Sequence, residues 1–244
     1  MRRTFLSQRL LMTKKLAVFV EGLTEQEFTI RLLSELAGNQ VIKFEILRQN
    51  KGHLSFVEFR TNLSQEPAIH VLVANCCHDK QVKSQINYHY KKLITDGYDL
   101  IIGLRDVHPF KPLDIPKLEE NLLKGLTKGN IPIHMHLAIM EIEAWFLEEI
   151  SHFPSIDKKI TITEIIANGF DFKKIRAHDL QQPSVTLDNI YKAVGKRYNK
   201  TRKNIQRTVK VLSYEELYIN TRLKALSLDK FINSLEMGIF PKKE

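Results

Sequence analysis

Short apolar runs alternate with amphipathic segments along the first 150 residues of the chain. After the run that ends at Val20, Phe28, Leu32 and Leu36 recur at four-residue spacing, which is typical of a helix that buries one face. The same alternation continues and predicts strands at residues 15–20, 41–47, 69–74, 98–104 and 131–139. Strands that alternate with helices favour an α/β fold, with a doubly wound, mostly parallel sheet and helices on both faces.

The segments between these runs predict the helices. Thr24 and Glu27 have the spacing of a capping box, which predicts that the first helix begins at Thr24. Further helices are predicted at residues 54–62, 82–94, 118–126 and 141–150.

The strand pattern ends after Pro154, and the rest of the chain has helical periodicity. We therefore place a boundary near residue 150. The predicted organisation is an N-terminal extension at residues 1–11, an α/β catalytic domain at 12–150 and a basic helical module at 151–244.

Composition narrows the choice of partner and compartment. The 244 residues carry a net charge of +9, which favours nucleic acid as a partner, with a membrane surface second. No apolar stretch reaches the length of a membrane span. The adjacent cysteines Cys76 and Cys77 are typical of reduced thiols, so we expect a cytoplasmic protein that does not enter a membrane.

Acidic residues follow three of the predicted strands. Glu21 and Glu25 follow the first, Asp106 follows the fourth, and Glu141 and Glu143 follow the fifth. The carboxyl ends of parallel strands meet at one crevice, where such a cluster repels itself unless it holds a cation. The pattern predicts a site for Mg²⁺ or Mn²⁺, the cations that prefer oxygen ligands. A simpler interpretation keeps Glu25 and Glu141 as helix-capping residues only.

The order of these motifs resembles the TOPRIM domain of topoisomerases, primases and OLD-family nucleases. It resembles more closely the compact TOPRIM-like nucleases of bacterial anti-phage systems. That family has a strand-end Glu before Gly, a later strand ending in Asp-x-Asp, and a final acid beyond the next strand. This chain supplies Glu21-Gly22, then Asp106, then Glu141 and Glu143 in the segment EIEAW. The resemblance spans residues 15–150.

The resemblance implies a TOPRIM-like sheet and a metal-dependent nuclease that cleaves DNA or RNA, tRNA included. It implies that Glu21 and Asp106 bind the primary metal and that Glu25, Glu141 or Glu143 completes the site. The implied catalytic residues are Glu21, Glu25, Asp106 and Glu143. His108 stands where the family has its second Asp, which leaves one metal or two open because histidine is a poor Mg²⁺ ligand.

The resemblance also implies a biological setting. Relatives serve as effectors of anti-phage or abortive-infection systems, often beside an ABC- or SMC-like ATPase. This chain has no GxxxxGK[ST] motif, so its ATPase would be a separate polypeptide. The sequence leaves a homo-oligomer open.

A basic tract at residues 192–210 holds eight Lys or Arg, no acid, and Tyr198 among them. It predicts a surface that follows a nucleic-acid backbone, although a solvated helix face gives the same pattern. The representative residues are Lys196, Arg197, Lys200, Arg202 and Lys203. An alternative function is a non-catalytic TOPRIM-fold subunit that binds nucleic acid or the ATPase through this tract.

Overall fold

Six strands form one sheet in the computed structural model, which describes residues 14–240. The strand order is β3-β2-β4-β1-β5-β6, with β3 antiparallel to β2 and every other neighbouring pair parallel. The strands are β1 Lys14–Val20, β2 Ile42–Asn50, β3 His53–Thr61, β4 Ile69–Asn75, β5 Leu100–Asp106 and β6 Ile133–Ala138. The predicted extension at residues 1–11 lies outside the described residues.

Eleven α-helical segments occur within residues 14–240. Those of the first half are α1 Leu23–Ala37, α2 Asp79–Thr95, α3 Ile115–Leu122 and α4 Glu143–Glu148. The later ones are α5 Phe153–Ile156, α6 Ile162–Ala167, α7 Pro183–Lys192, α8 Arg202–Val211, α9 Tyr214–Glu216, α10 Arg222–Lys224 and α11 Leu226–Ile239. Short 3₁₀ turns lie at Pro112–Asp114, Ile150–His152 and Ala177–Asp179, and a π-helical turn at Leu217–Thr221. The α/β fold with a mostly parallel sheet and a helical C-terminal region is confirmed.

The predicted helix at residues 54–62 is wrong, because this segment forms β3. Lys51 and Gly52 both have positive φ, 48° and 88°, as the two central residues of a tight hairpin turn require. The turn returns the chain along β2, where the aromatic and β-branched residues of the segment suit a strand.

The predicted capping box of α1 is also wrong. The helix begins at Leu23, with Gly22 at the N-cap, so Thr24 and Glu27 lie inside its first turns. Glu27 instead forms a salt bridge with Arg60 of β3, with Arg60 Nη1 and Glu27 Oε2 3.0 Å apart. The side chain therefore connects α1 to the edge of the sheet.

Apolar side chains of β1 reach both layers of helices because successive residues point to opposite faces. Leu16 and Val18 lie in the core shared with α1 and the C-terminal helices, whereas Phe19 packs on the α2 side. Trp145 is buried and stacks on Phe231 of α11 at 5.8 Å between ring centroids. Within residues 14–240, no helix is both long and apolar enough to cross a membrane.

Candidate metal centre

Glu21 and Asp106 meet at the carboxyl ends of two neighbouring strands. Glu21 directly follows β1, and Asp106 is the last residue of β5, which pairs with β1 in parallel. The backbone N–H of Asp106 donates a hydrogen bond to Glu21 Oε2 at 3.0 Å. Residues 85 positions apart in the sequence therefore lie side by side, as the acidic pattern requires.

Three of the acids form a group that could hold a metal ion. Asp106, Glu141 and Glu143 each place a carboxylate oxygen within 4.8 Å of the others, and all three residues are buried. Oxygen atoms at this separation can reach one divalent cation, since Mg²⁺–oxygen distances are about 2.1 Å. The structure thus brings together acids from the ends of β5 and β6.

A turn after β6 delivers the last two acids to this group. Met140 adopts a left-handed conformation, with φ of 60°, and redirects the chain toward the end of β5. The Ile142 N–H then donates to Asp106 Oδ1 at 3.0 Å, and α4 begins at Glu143. The backbone of the turn that follows β6 consequently holds the Asp106 carboxylate in place.

Glu25 approaches the same group from the first turn of α1. Its carboxylate passes so close to the preceding turn that a Cβ atom on Gly22 would lie 2.9 Å from Glu25 Oε2. Gly22 has extended backbone, with φ of −147°, so space rather than conformation favours glycine here. Burial, reinforced by the charges of Glu143 and Glu21, raises the pKa of Glu25 to about 8.

Lys200 enters the acidic group from the connection between α7 and α8. Its Nζ lies 3.2 Å from Glu143 Oε1 and 3.4 Å from Glu141 Oε1. Burial lowers the pKa of Lys200, but the surrounding carboxylates, Glu143 and Glu141 foremost, raise it above its usual value. The ammonium is therefore charged at neutral pH, and Lys200 belongs to the site as well as to the basic tract.

Tyr198 also turns inward, so its expected place on a basic surface is wrong. The residue is buried, and its hydroxyl donates to Glu143 Oε1 at 2.8 Å. The charge of the tract alone does not predict this contact. The signal was a large aromatic residue two positions before the lysine, in a segment otherwise composed mainly of polar side chains.

Burial and mutual repulsion raise the pKa values of two further acids in the group. Burial raises the pKa of Asp106 well above its usual range, and Glu25, Glu143 and Glu21 raise it further. Burial also raises the pKa of Glu143, against the opposing effect of Lys200. A divalent ion would displace protons that these carboxyl groups otherwise keep.

One carboxylate oxygen of the group has no protein partner among the described residues. Glu143 Oε2 is buried and has no hydrogen-bond partner among the described residues, whereas Oε1 of the same carboxylate has both Tyr198 and Lys200. A buried polar atom without a partner costs about 1–3 kcal/mol, and more when it is charged. The donor set, with its all-carboxylate chemistry, fits a hard divalent cation.

Glu141 has additional partners from the start of α7. Ser184 donates its backbone N–H to Glu141 Oε2 at 2.7 Å and its hydroxyl to Glu141 Oε1 at 2.9 Å. These bonds and Lys200 orient the carboxylate, so Glu141 is more constrained than Glu143. Glu141 and Glu143 therefore differ in how freely their carboxylates can move to bind an ion.

The other residues of the predicted nucleic-acid surface lie outside the acidic group. Lys196, Arg202 and Lys203 are exposed, and the exposed Arg197 bonds to Asp188 with 3.1 Å between Arg197 Nε and Asp188 Oδ1. His108 is half-buried, and the cluster formed by the described residues contains Asp106, Glu141 and Glu143 without it.

A family model matches the chain over residues 20–236, a range that contains all five acids and Lys200. The model is described as a domain of unknown function, DUF4276. No curated protein matches the chain.

Proposed function

The chain belongs to the DUF4276 family, and we propose that it is a divalent-metal-dependent nuclease that hydrolyses phosphodiester bonds of DNA or RNA. The observation that carries the proposal is the buried group of Asp106, Glu141 and Glu143 at the ends of parallel strands. Glu143 Oε2, which has no hydrogen-bond partner among the described residues, supports a cation as its partner.

The donor set suits the chemistry of phosphodiester hydrolysis. When bound, Mg²⁺ or Mn²⁺ lowers the pKa of an attacking water and neutralises charge on the scissile phosphate. Asp106 and Glu143 are the proposed central ligands, with Glu21, Glu25 and Glu141 beside them. Backbone N–H groups fix the carboxylates of Asp106 and Glu21, and Tyr198 fixes that of Glu143. Little reorganisation of these three carboxylates is therefore needed to receive an ion.

Lys200 has a position suited to an anionic substrate. Its side chain is 42% exposed while its ammonium contacts Glu141 and Glu143, so one end of the group faces solvent. A phosphate bound beside these acids would lie close to this positive charge. We assign Lys200 the role of attracting and orienting the phosphate next to the ion.

The resemblance to TOPRIM-like defence nucleases supplies the proposed biological role. We infer an effector of a bacterial anti-phage or abortive-infection system that acts with a separate ABC- or SMC-like ATPase. The exposed Lys196, Arg202 and Lys203 support backbone contact with DNA or RNA, tRNA included, without sequence specificity.

Cleavage assays with purified protein test the proposal. Supercoiled plasmid and total RNA are incubated with Mg²⁺, with Mn²⁺ and with EDTA, using wild type, Asp106→Asn and Glu143→Gln. We expect metal-dependent cleavage that falls at least about a hundredfold in both variants, since each removes a central ligand. Glu215→Gln, an exposed acid outside the site, is the matched control and should retain wild-type cleavage. Metal-dependent cleavage that survives both site substitutions contradicts the assignment.

A second candidate is a non-catalytic subunit that binds nucleic acid or the ATPase. It is favoured by His108, which stands where the TOPRIM-like nucleases that the sequence resembles have a second Asp, and which does not join the acidic cluster of the described residues. Two results together would support this candidate. Nucleic-acid binding would be salt-sensitive and would weaken in Arg202→Glu/Lys203→Glu, and no cleavage would occur with any metal or in the presence of the ATPase.

A further inference from the structure

The edge strand β6 borders a groove that is separate from the acidic group. The groove has a volume of about 840 Å³ and lies between β6, α3 and α11. None of the five acids of the candidate metal centre lines it. The groove is within the size range of binding sites in proteins, about 300–1,000 Å³.

The groove opens along the edge of the strand rather than over one face. Five successive residues of β6, residues 133–137, line it. Successive side chains of a strand point to opposite faces, so a cavity that touches all of them must lie where the backbone itself is exposed.

Hydrogen bonds to β5 show which backbone groups of β6 face the groove. The Ile101 N–H donates to the Pro132 carbonyl, and the Val107 N–H donates to the Ala138 carbonyl. In a parallel pair, alternate residues face the neighbour, so even-numbered residues of β6 bond to β5. The N–H and C=O groups of Ile133, Met135 and Leu137 therefore point into the groove, and none of the described residues pairs with them.

The two edges of the sheet differ in how they are protected. The outer strand β3 has a bulge in its pairing with β2 and carries the charged residues Glu58 and Arg60. Bulges and charges are the usual devices that prevent an edge from pairing with another strand. The sequence of β6, IHMHLA, has neither a formally charged residue nor a proline, so its edge retains full pairing capacity.

The walls of the groove are held in place. Ser234 of α11 contacts His134 Nδ1 at 3.0 Å and His136 Nε2 at 2.9 Å, which fixes α11 against one face of β6. Leu137 packs with Leu122 of α3 on the other face. The edge is thus recessed between two helices, and the space is formed before any partner binds.

The recess and its charges indicate the kind of partner. A single extended segment can enter this recess, whereas a second copy of β6 would bring its own flanking helices α3 and α11 with it. Lys224 and Lys230 are exposed at the groove. Glu119, the one acid in the groove lining, forms a salt bridge with Lys230, with 3.7 Å between Lys230 Nζ and Glu119 Oε1. Both side chains are more than half exposed, so this pair is weak and Lys230 can exchange Glu119 for an acid of a partner. Leu123 and Leu226, 61% and 69% exposed, add apolar surface.

We propose that this groove binds an extended, acidic peptide segment of a partner protein, which adds to the sheet as a strand beside β6. The segment alternates acidic and apolar side chains. It pairs through its backbone with Ile133, Met135 and Leu137, and it meets Lys224 and Lys230 through its acids. The six residues of β6 set its length at about six residues.

A peptide-binding experiment tests this inference independently of nuclease activity. The probes are fluorescent hexapeptides that have Glu or Asp at every second position. The positions between them carry apolar residues, which vary from peptide to peptide. Each peptide is titrated with the full chain, and its fluorescence anisotropy is measured. We expect saturable binding by members of this set. The tightest peptide should lose binding at least about tenfold when its alternate backbone amides are methylated, because methylation removes strand pairing and keeps every side chain.

Variants of the protein separate the contribution of charge. Lys224→Glu/Lys230→Glu should weaken the tightest peptide about tenfold or more, whereas Lys91→Glu, an exposed lysine on α2, should leave it unchanged. Analytical ultracentrifugation should show no dimer formed by pairing of β6 with β6 of a second copy. The proposal is wrong if no acidic hexapeptide binds, if the methylated peptide binds equally well, or if the peptide stoichiometry shows that a second copy fills the groove.

Discussion

At the residue scale, Glu25 connects the candidate metal centre to stability. Its pKa of about 8 exceeds the ordinary carboxyl value of 4.5 because it is buried next to Glu143 and Glu21. Between pH 4.5 and about 8 the folded protein keeps a proton that the unfolded chain has released, so a rise in pH favours unfolding.

We therefore predict that, in EDTA, the free energy of unfolding falls by a few kcal/mol from pH 5 to pH 8, at about 1.4 kcal/mol per pKa unit. Denaturant titrations at several pH values measure the fall. Glu25→Gln should make the fall smaller because it removes one of the carboxyl groups with a raised pKa, leaving Asp106 and Glu143. Saturating Mg²⁺ should also reduce the fall because the ion replaces the protons. A metal-free stability that rises over this window contradicts the electrostatic account.

Lys200 supplies positive charge to the acids, and its removal should be visible without any activity assay. Lys200→Met keeps most of the side-chain length and deletes the ammonium. We expect the metal-free protein to lose about 1–2 kcal/mol, less than a fully buried pair would lose because the side chain is 42% exposed. The increase in Tm on adding Mg²⁺ should be larger than in wild type, because the ion then compensates more unbalanced charge.

The matched control is Lys203→Met, an exposed lysine on α8. Its metal-free stability and its Tm response to Mg²⁺ should equal those of wild type. If Lys200→Met responds to Mg²⁺ in the same way as the control, Lys200 does not share the charge of the site.

The same residues show what a sequence can reveal about a site. Glu21 and Asp106 could be predicted together because each follows an apolar strand, and parallel strands end at the same edge. Tyr198 and Lys200 could not be placed there, since they come from a loop more than 50 residues beyond the last acid. Their approach depends on how α7 and α8 pack, which local periodicity does not encode.

At the element scale, the turn between β1 and α1 sets the position of Glu25. Gly22→Ala adds a Cβ atom 2.9 Å from Glu25 Oε2, at a backbone conformation that alanine tolerates. We predict that the fold is retained while affinity for Mn²⁺ falls about threefold to tenfold, equivalent to about 0.6–1.4 kcal/mol.

A double-mutant cycle tests whether the effect passes through Glu25. In the background of Glu25→Ala, the added Cβ has no carboxylate to displace, so Gly22→Ala should change Mn²⁺ affinity little. Equal effects in both backgrounds would show that the alanine acts through the backbone instead.

The strands of the sheet were predictable from apolar runs, but β3 was not. The prediction of a helix at residues 54–62 is wrong because Lys51-Gly52 forms a two-residue hairpin turn. This turn indicates a strand pair more strongly than the weak periodicity of residues 54–62 indicates a helix. The bulge opposite Ile46 and Leu47 breaks strict alternation in the hairpin, which removes the usual strand pattern.

At the scale of the whole molecule, residues beyond 150 are part of both the core and the site. A Cβ atom on Gly238 of α11 would lie 2.9 Å from Leu16 Cδ1 of β1, so the last helix lies directly on the central sheet. Trp145 stacks on Phe231, and Glu143 depends on Tyr198 and Lys200. The predicted boundary near residue 150 is thus crossed by apolar and polar contacts alike.

We predict that a fragment of residues 14–150 does not fold cooperatively and that the full chain unfolds in one transition. Loss of α11 would expose the face of β1 that Leu16 occupies. Circular dichroism and calorimetry of both proteins measure this. A fragment with a sharp transition of its own would show that the sheet is an independent domain.

The most direct test of the central claim is a Mn²⁺ titration followed by electron paramagnetic resonance of the free ion, with wild type, Asp106→Asn/Glu143→Gln and the control Glu215→Gln. The account predicts saturable binding by wild type and control. It predicts binding weakened at least about a hundredfold in the double variant, which should be more stable than wild type in EDTA because two repelling carboxylates are gone. Equal Mn²⁺ affinity in all three proteins would contradict the claim that these buried acids hold a divalent cation.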